Sequence, residues 1–128
     1  MKKPKKPKAK NTTPFEDQEQ MAFVIYLERL KLQEKIKRFT AIPNSTYTDS
    51  WNQKRKNKDM GVRSGLLDLF IITENRSMIF IEMKRQKGGV VSKEQKEWIK
   101  AINECDNAQA FVCKGFKDAK TIIDKFTN

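Results

Sequence analysis

The chain has 128 residues, with 27 Lys and Arg against 16 Asp and Glu, a formal net charge of +11 and no histidine. That length allows one domain and the charge favours a polyanionic partner, while the missing histidine excludes Ser-His-Asp triads, Cys-His dyads and histidine-ligated zinc. Cys105 and Cys113, without CxxC spacing, exclude a zinc ribbon or a disulfide framework and read as buried thiols of a reducing compartment.

Residues 1–14 hold six lysines, three prolines and no acid, so they are expected to form an extended basic arm that leaves +5 for a folded domain over residues 15–128. From Phe15 the pattern turns helical. Phe23, Leu27 and Leu30 form one apolar stripe, Thr13 suits the N-cap, Pro14 the first helical position and Glu16 the third place of a capping box, and the helix should reach about Glu34. The longest apolar stretch, Ala22 to Leu27, is far short of the roughly 20 residues of a membrane span. An intracellular, cytoplasmic protein is expected.

Phe39 to Ile42 reads as a short strand stopped by Pro43, and the polar stretch from Ser45 to Met60, with Trp51 and the basic cluster Lys54, Arg55, Lys56 and Lys58, as a loop or flap. Gly61 and Gly65 bracket a turn. Leu66 to Ile72 then reads as a buried strand interrupted by Asp68, Glu74-Asn75-Arg76 as a hairpin loop, and Ser77 to Lys84 as the antiparallel partner strand. After Gly88-Gly89, Ser92 caps a helix with Trp98, Ile99 and Ile102 inward. Ala110 to Cys113 is a further strand, and a helix from about Lys117 to Phe126 closes an αβββαβα order.

Two of these apolar strands carry charge. Alternate strand residues share a face, so Glu82 and Lys84 point together about 7 Å apart, with Met83 turned away, and Asp68 across the hairpin can join them. Burying unpaired charge costs several kcal/mol, so the cluster either forms an internal salt bridge or holds an ion. Carboxylate oxygens suit a hard cation such as Mg²⁺. Such a site can hydrolyse phosphodiesters without histidine.

Asp68 followed by Glu82-Met83-Lys84 resembles the D…(D/E)xK signature of the PD-(D/E)xK nucleases. The run Gly61-Val62-Arg63-Ser64-Gly65-Leu66-Leu67-Asp68-Leu69-Phe70 resembles the GxxxGxPDL segment of the virus-type replication-repair nuclease (VRR-NUC) domain, with Leu67 in place of its proline. Ser92-Lys93-Glu94-Gln95-Lys96-Glu97-Trp98 is similar to its S-x-x-Q-x-x-W/F helix start, and Ile42-Pro43-Asn44 to its PN step. The resemblance covers roughly residues 15–125.

It implies an α/β, restriction-endonuclease-like αβββαβ core with a mixed central sheet flanked by helices, related to Holliday-junction resolvases and using Mg²⁺ or Mn²⁺ on DNA. The implied metal positions are Asp68, Glu82 and Met83. Lys84 serves the attacking water, Gln95 supports the site from the second helix, and Glu16 and Gln20 match the acid and glutamine of the first helix, Glu16 in the catalytic set and Gln20 towards nucleic acid. Glu19 is the alternative first-helix acid. A stand-alone domain of this kind fits a phage origin.

Several residues carry two readings. Glu16 is either a capping-box member or a catalytic acid, and Gln95 either caps its helix or supports the site. Glu82 and Lys84 could be an ordinary strand ion pair. Lys54, Arg55, Lys56, Lys58, Arg63, Arg85 and Lys87 are candidate phosphate contacts or solvated charges, and Trp51 and Trp98 could stack on bases, although Trp98 at helical spacing with Ile102 suits a core. The expected substrate is branched or junction-like DNA, for which a homodimer would supply paired incisions. A non-catalytic basic DNA-binding module and a restriction-like nuclease on other DNA are the alternatives.

Overall fold

The computed structural model describes residues 15–43 and 50–128. The expected arm, the proposed cap residues Thr13 and Pro14, and Asn44 of the PN step lie outside them. Helix α1 (Glu16–Leu32) has Phe15 as its N-cap residue, and Gln18 reaches back to accept the Phe15 backbone N–H at 3.0 Å. Glu16 is therefore the first helical residue and not the third, which corrects the expected capping box with Thr13. The helix buries Phe23, Leu27 and Leu30 as its periodicity requires, and stops two residues earlier than expected because Glu34 takes a left-handed φ of 59° that turns the chain into the sheet.

Strand β1 (Ile36–Ala41) begins three residues before the expected Phe39, with a register irregularity between Ile36 and Arg38. The stretch expected as a loop contains α2 (Trp51–Asp59), capped by the Ser50 hydroxyl accepting the Gln53 N–H at 3.2 Å. It went unpredicted because it buries none of its residues, so it has no hydrophobic periodicity to read. Strands β2 (Leu69–Thr73) and β3 (Met78–Lys84) form the expected hairpin, with Arg76 at φ 70° in its turn, but β2 starts three residues after the expected Leu66, so Asp68 lies just before the strand and not within it. Helix α3 (Lys93–Asn103) crosses over to β4 (Ala108–Lys114), and α4 (Phe116–Thr127) ends the chain.

The sheet order is β1-β2-β3-β4, antiparallel at the first two pairings and parallel at the third. This is the expected α/β architecture with a mixed sheet flanked by helices, with α2 added. One sheet face meets α1 and α4 through Phe23, Leu27, Ile71, Ile79, Ile81, Met83, Ala119 and Ile123, with Cys113 buried among them. The other meets α3 through Leu67, Ile102, Ala108 and Ala110. Cys105, expected to be buried, is exposed at the end of α3. Among the described residues no helix is long and apolar enough to cross a membrane.

Candidate active site

The β2–β3 register sets the site. The ladder ends with Leu69 opposite Ile81, which brings Asp68, just before β2, beside Glu82 and Met83 at the end of β3. Leu67 and Leu69 are both fully buried, which fixes the backbone on either side of Asp68. The acid is then held directly: the Met83 backbone N–H donates to Asp68 Oδ2 at 2.7 Å. Side chains alternate on β3, so Met83 packs into the α1/α4 core while Glu82 and Lys84 turn to the other face. The Met83 side chain is thus turned away from the site, as the alternation predicts. Any metal contact from Met83 would have to come from its main-chain carbonyl.

Glu82 is 2% exposed and is the most deeply buried charge of the group. Its Oε1 accepts the Gln95 Nε2 at 2.6 Å and lies 3.3 Å from Lys84 Nζ. Its Oε2 is buried and has no hydrogen-bond donor among the described residues. Glu16, at the first position of α1, brings a carboxylate to this point, and one oxygen each from Glu16, Asp68 and Glu82 lie within 4.8 Å of one another. Of the two first-helix candidates it is therefore Glu16 that joins the site.

Burial and mutual repulsion act together on these acids. Glu82 is pushed up to about 7, first by loss of water and then by the Asp68 charge, against the pull of Lys84. Asp68 is also raised, by burial that outweighs the Met83 N–H and Lys84. Glu16 is raised by burial and by Asp68, with Lys84 opposing. Three oxygen donors so close, with one buried oxygen unsatisfied, fit a hard divalent cation, which would favour their ionised forms.

The supporting residues come from loops and the start of α3. Gln95 makes a capping contact and a Glu82 contact at once: its Oε1 accepts the Ser92 N–H at 3.0 Å while its Nε2 donates to Glu82, and Ser92 Oγ accepts the Gln95 N–H at 3.1 Å. Gly65, at φ 90°, lets the loop before Asp68 approach α3 so closely that a Cβ there would sit 2.6 Å from Glu94 Cβ. Gly89 closes over Lys84, and a Cβ on it would sit 2.8 Å from Lys84 Cβ. The sequence marks Gly88-Gly89 only as the break between β3 and α3, and the approach of Gly89 to Lys84 has no local signal.

The remaining candidates lie around this centre. Glu19 points away from it: its carboxylate accepts the Phe116 N–H at the start of α4 and the Gln86 Nε2 at 2.8 Å, so the alternative first-helix acid is a structural one. Gln20 lines a groove on α1 with Asp17, Met21, Val24 and Ile25. Lys54, Arg55, Lys56 and Lys58 are exposed on α2, and Lys87 is exposed beyond β3. The Arg63 guanidinium donates to the Lys58 and Val62 carbonyls at 3.2 and 3.0 Å, tying the turn after α2 together. The Arg85 guanidinium stacks 5.0 Å over the Phe15 ring. Trp98 donates its Nε1 to the Ser64 carbonyl at 3.0 Å and so joins α3 to the same turn.

A family model described as the VRR-NUC domain matches residues 12–117. A solved structure described as a VRR_NUC domain protein is similar in fold, with a TM-score of 0.68 and 22% sequence identity over 90% of this chain and 89% of that chain. No curated protein matches.

Proposed function

Because this chain belongs to the VRR-NUC family, and is thus a nuclease-like domain of the PD-(D/E)xK type, we propose that it is a divalent-metal-dependent endodeoxyribonuclease acting on branched or junction-like DNA. The observation that supports this most is the meeting of Glu16, Asp68 and Glu82 within 4.8 Å around a buried, unsatisfied Glu82 oxygen. A non-catalytic binder gains nothing from three mutually repelling, desolvated acids. A cation site does.

In this reading Glu16, Asp68 and Glu82 hold Mg²⁺ or Mn²⁺. When bound, the ion supplies Lewis acidity towards a phosphodiester and lowers the pKa of water beside it. Lys84, anchored at Glu82 and confined by Gly89, directs its ammonium to the attacking water and offsets phosphate charge. Gln95 fixes the Glu82 oxygen that faces Lys84, and Glu82 is among the acids that would hold the ion. The Met83 N–H keeps Asp68 aimed at the same point. The exposed cations of α2, with Arg63 and Lys87, bind the DNA backbone without reading bases. Paired incision of a four-way junction is met by a homodimer.

The test is cleavage of labelled four-way junction, flap and plain duplex DNA with Mg²⁺ or Mn²⁺. The intact protein should cut branched substrates in preference to duplex. Asp68→Ala and Lys84→Ala should each lose about 10²-fold or more of the rate. Undiminished cleavage by either variant overturns the assignment.

A further inference from the structure

The residues of α2 are arranged against the usual logic of a helix in a folded domain. Positions i, i+3, i+4 and i+7 normally carry the apolar seam that a helix buries. In α2 those positions are Trp51, Lys54, Arg55 and Lys58, and the helix buries none of its residues. Trp51 is 79% exposed, with Lys54 Nζ 5.2 Å from the centre of its ring. The helix is held instead by local bonds: the Ser50 cap and a Gln53 Nε2 to Asn57 Oδ1 bond of 2.7 Å.

We infer that the Trp51–Lys54–Arg55–Lys58 face of α2 is a stacking site for unpaired nucleotides of the DNA substrate. Trp51, Lys54, Arg55, Lys58 and Asp59 line one open groove, which sets the exposed indole beside three cations and one acid. A base stacks on an aromatic ring irrespective of its sequence, and lysine and arginine beside it take the phosphates. Seven residues of helix separate Trp51 from Lys58 by about 10 Å along the axis, at 1.5 Å per residue. In continuous duplex the base faces are covered by their neighbours, so only an unstacked base at a branch, flap or gap can meet the indole.

Neighbouring contacts link α2 to the elements that hold the carboxylates. Lys54 and Lys58 also line a groove with Asn57, Val62 and Ser64. Ser64 is tied to Trp98 of α3, and Gly65 next to it packs against Glu94 and Gln95. Gln95 holds Glu82. The turn after α2 and the start of α3 thus connect this face to the site through direct contacts.

The inference rests on DNA being the substrate, and binding tests it apart from cleavage. Affinities of the full-length protein in EDTA are measured by anisotropy for a labelled oligothymidylate and for a labelled blunt duplex. Trp51→Ala should weaken oligothymidylate binding about tenfold, the loss expected from one stacked base, and leave duplex binding within about twofold. Trp51→Phe should retain oligothymidylate binding within about threefold. Equal weakening on both ligands, no weakening on either, or a Phe variant as weak as the Ala variant would overturn the inference. Failure of metal-dependent cleavage with this contrast intact would overturn the nuclease reading and leave the stacking site standing.

Discussion

Gln95 donates its Nε2 to Glu82 Oε1 at 2.6 Å while its Oε1 accepts the backbone N–H of Ser92 at 3.0 Å, so one side chain both starts α3 and orients the most buried acid of the site. The two duties separate by mutation. Ser92→Ala removes the hydroxyl cap and keeps the Glu82 contact, and Gln95→Ala removes both of the glutamine's bonds.

Both variants should therefore lose about 1 kcal/mol of stability, the usual worth of a cap. Only Gln95→Ala should also slow metal-dependent cleavage, by about tenfold or more, because Glu82 is then free to turn. Denaturant melts and single-turnover rates on the same preparations check this. Equal rates for the two variants would mean that Gln95 is a cap and nothing else.

Glu19 makes the converse prediction. Its buried carboxylate accepts the first N–H of α4 and the Gln86 amide, so Glu19→Ala strands both donors at a helix N-terminus. Stability should fall by about 1–3 kcal/mol, with metal affinity unchanged at temperatures where the variant is folded. Glu19→Gln, which keeps an acceptor oxygen, should recover part of the loss. A Glu19→Gln variant that is fully stable but binds no metal would place this acid in the site and contradict its structural role.

The metal-free protein should lose stability as pH rises. Glu82 has its folded pKa pushed up to about 7 from an ordinary 4.5, so the folded state keeps a proton there that the unfolded chain releases. Between about pH 4.5 and about 7 deprotonation favours unfolding, below that window this group costs nothing, and above it the penalty is complete. Asp68 and Glu16, also raised, act in the same direction. Thermal melts in EDTA should fall through this window for the wild type and much less for Glu82→Gln. Added Mn²⁺ should raise the melting temperature more at pH 8 than at pH 5. Parallel pH profiles for the two proteins would contradict the raised Glu82.

Glu82 and Lys84 were legible because strand alternation is a strict period of two, so an E-x-K run declares the face they share; Asp68, expected inside a strand, sits just before β2 and joins them through the Met83 N–H. Glu16 and Glu19 were not distinguishable, since residues three apart lie on neighbouring lines of a helix, and the choice depends on where the first turn begins. Phe15, not Thr13, turned out to be that point. Helix α2 was invisible for the opposite reason to the strands. It has no buried face, so its only sequence signals are the Ser50 cap and good local helix formers. The close approaches of Gly65 and Gly89 depend on α3 and β3 being brought beside them, and no local pattern encodes that.

Direct titration of Mn²⁺ into the full-length protein tests the central claim, that Glu16, Asp68 and Glu82 form one divalent-cation site, most closely. The wild type should bind with a measurable heat, Asp68→Asn and Glu82→Gln should each weaken binding about tenfold or more, and Glu19→Gln should bind as the wild type does. Wild-type protein that takes up no ion, or Asp68 and Glu82 variants that bind as tightly as it does, would contradict the account.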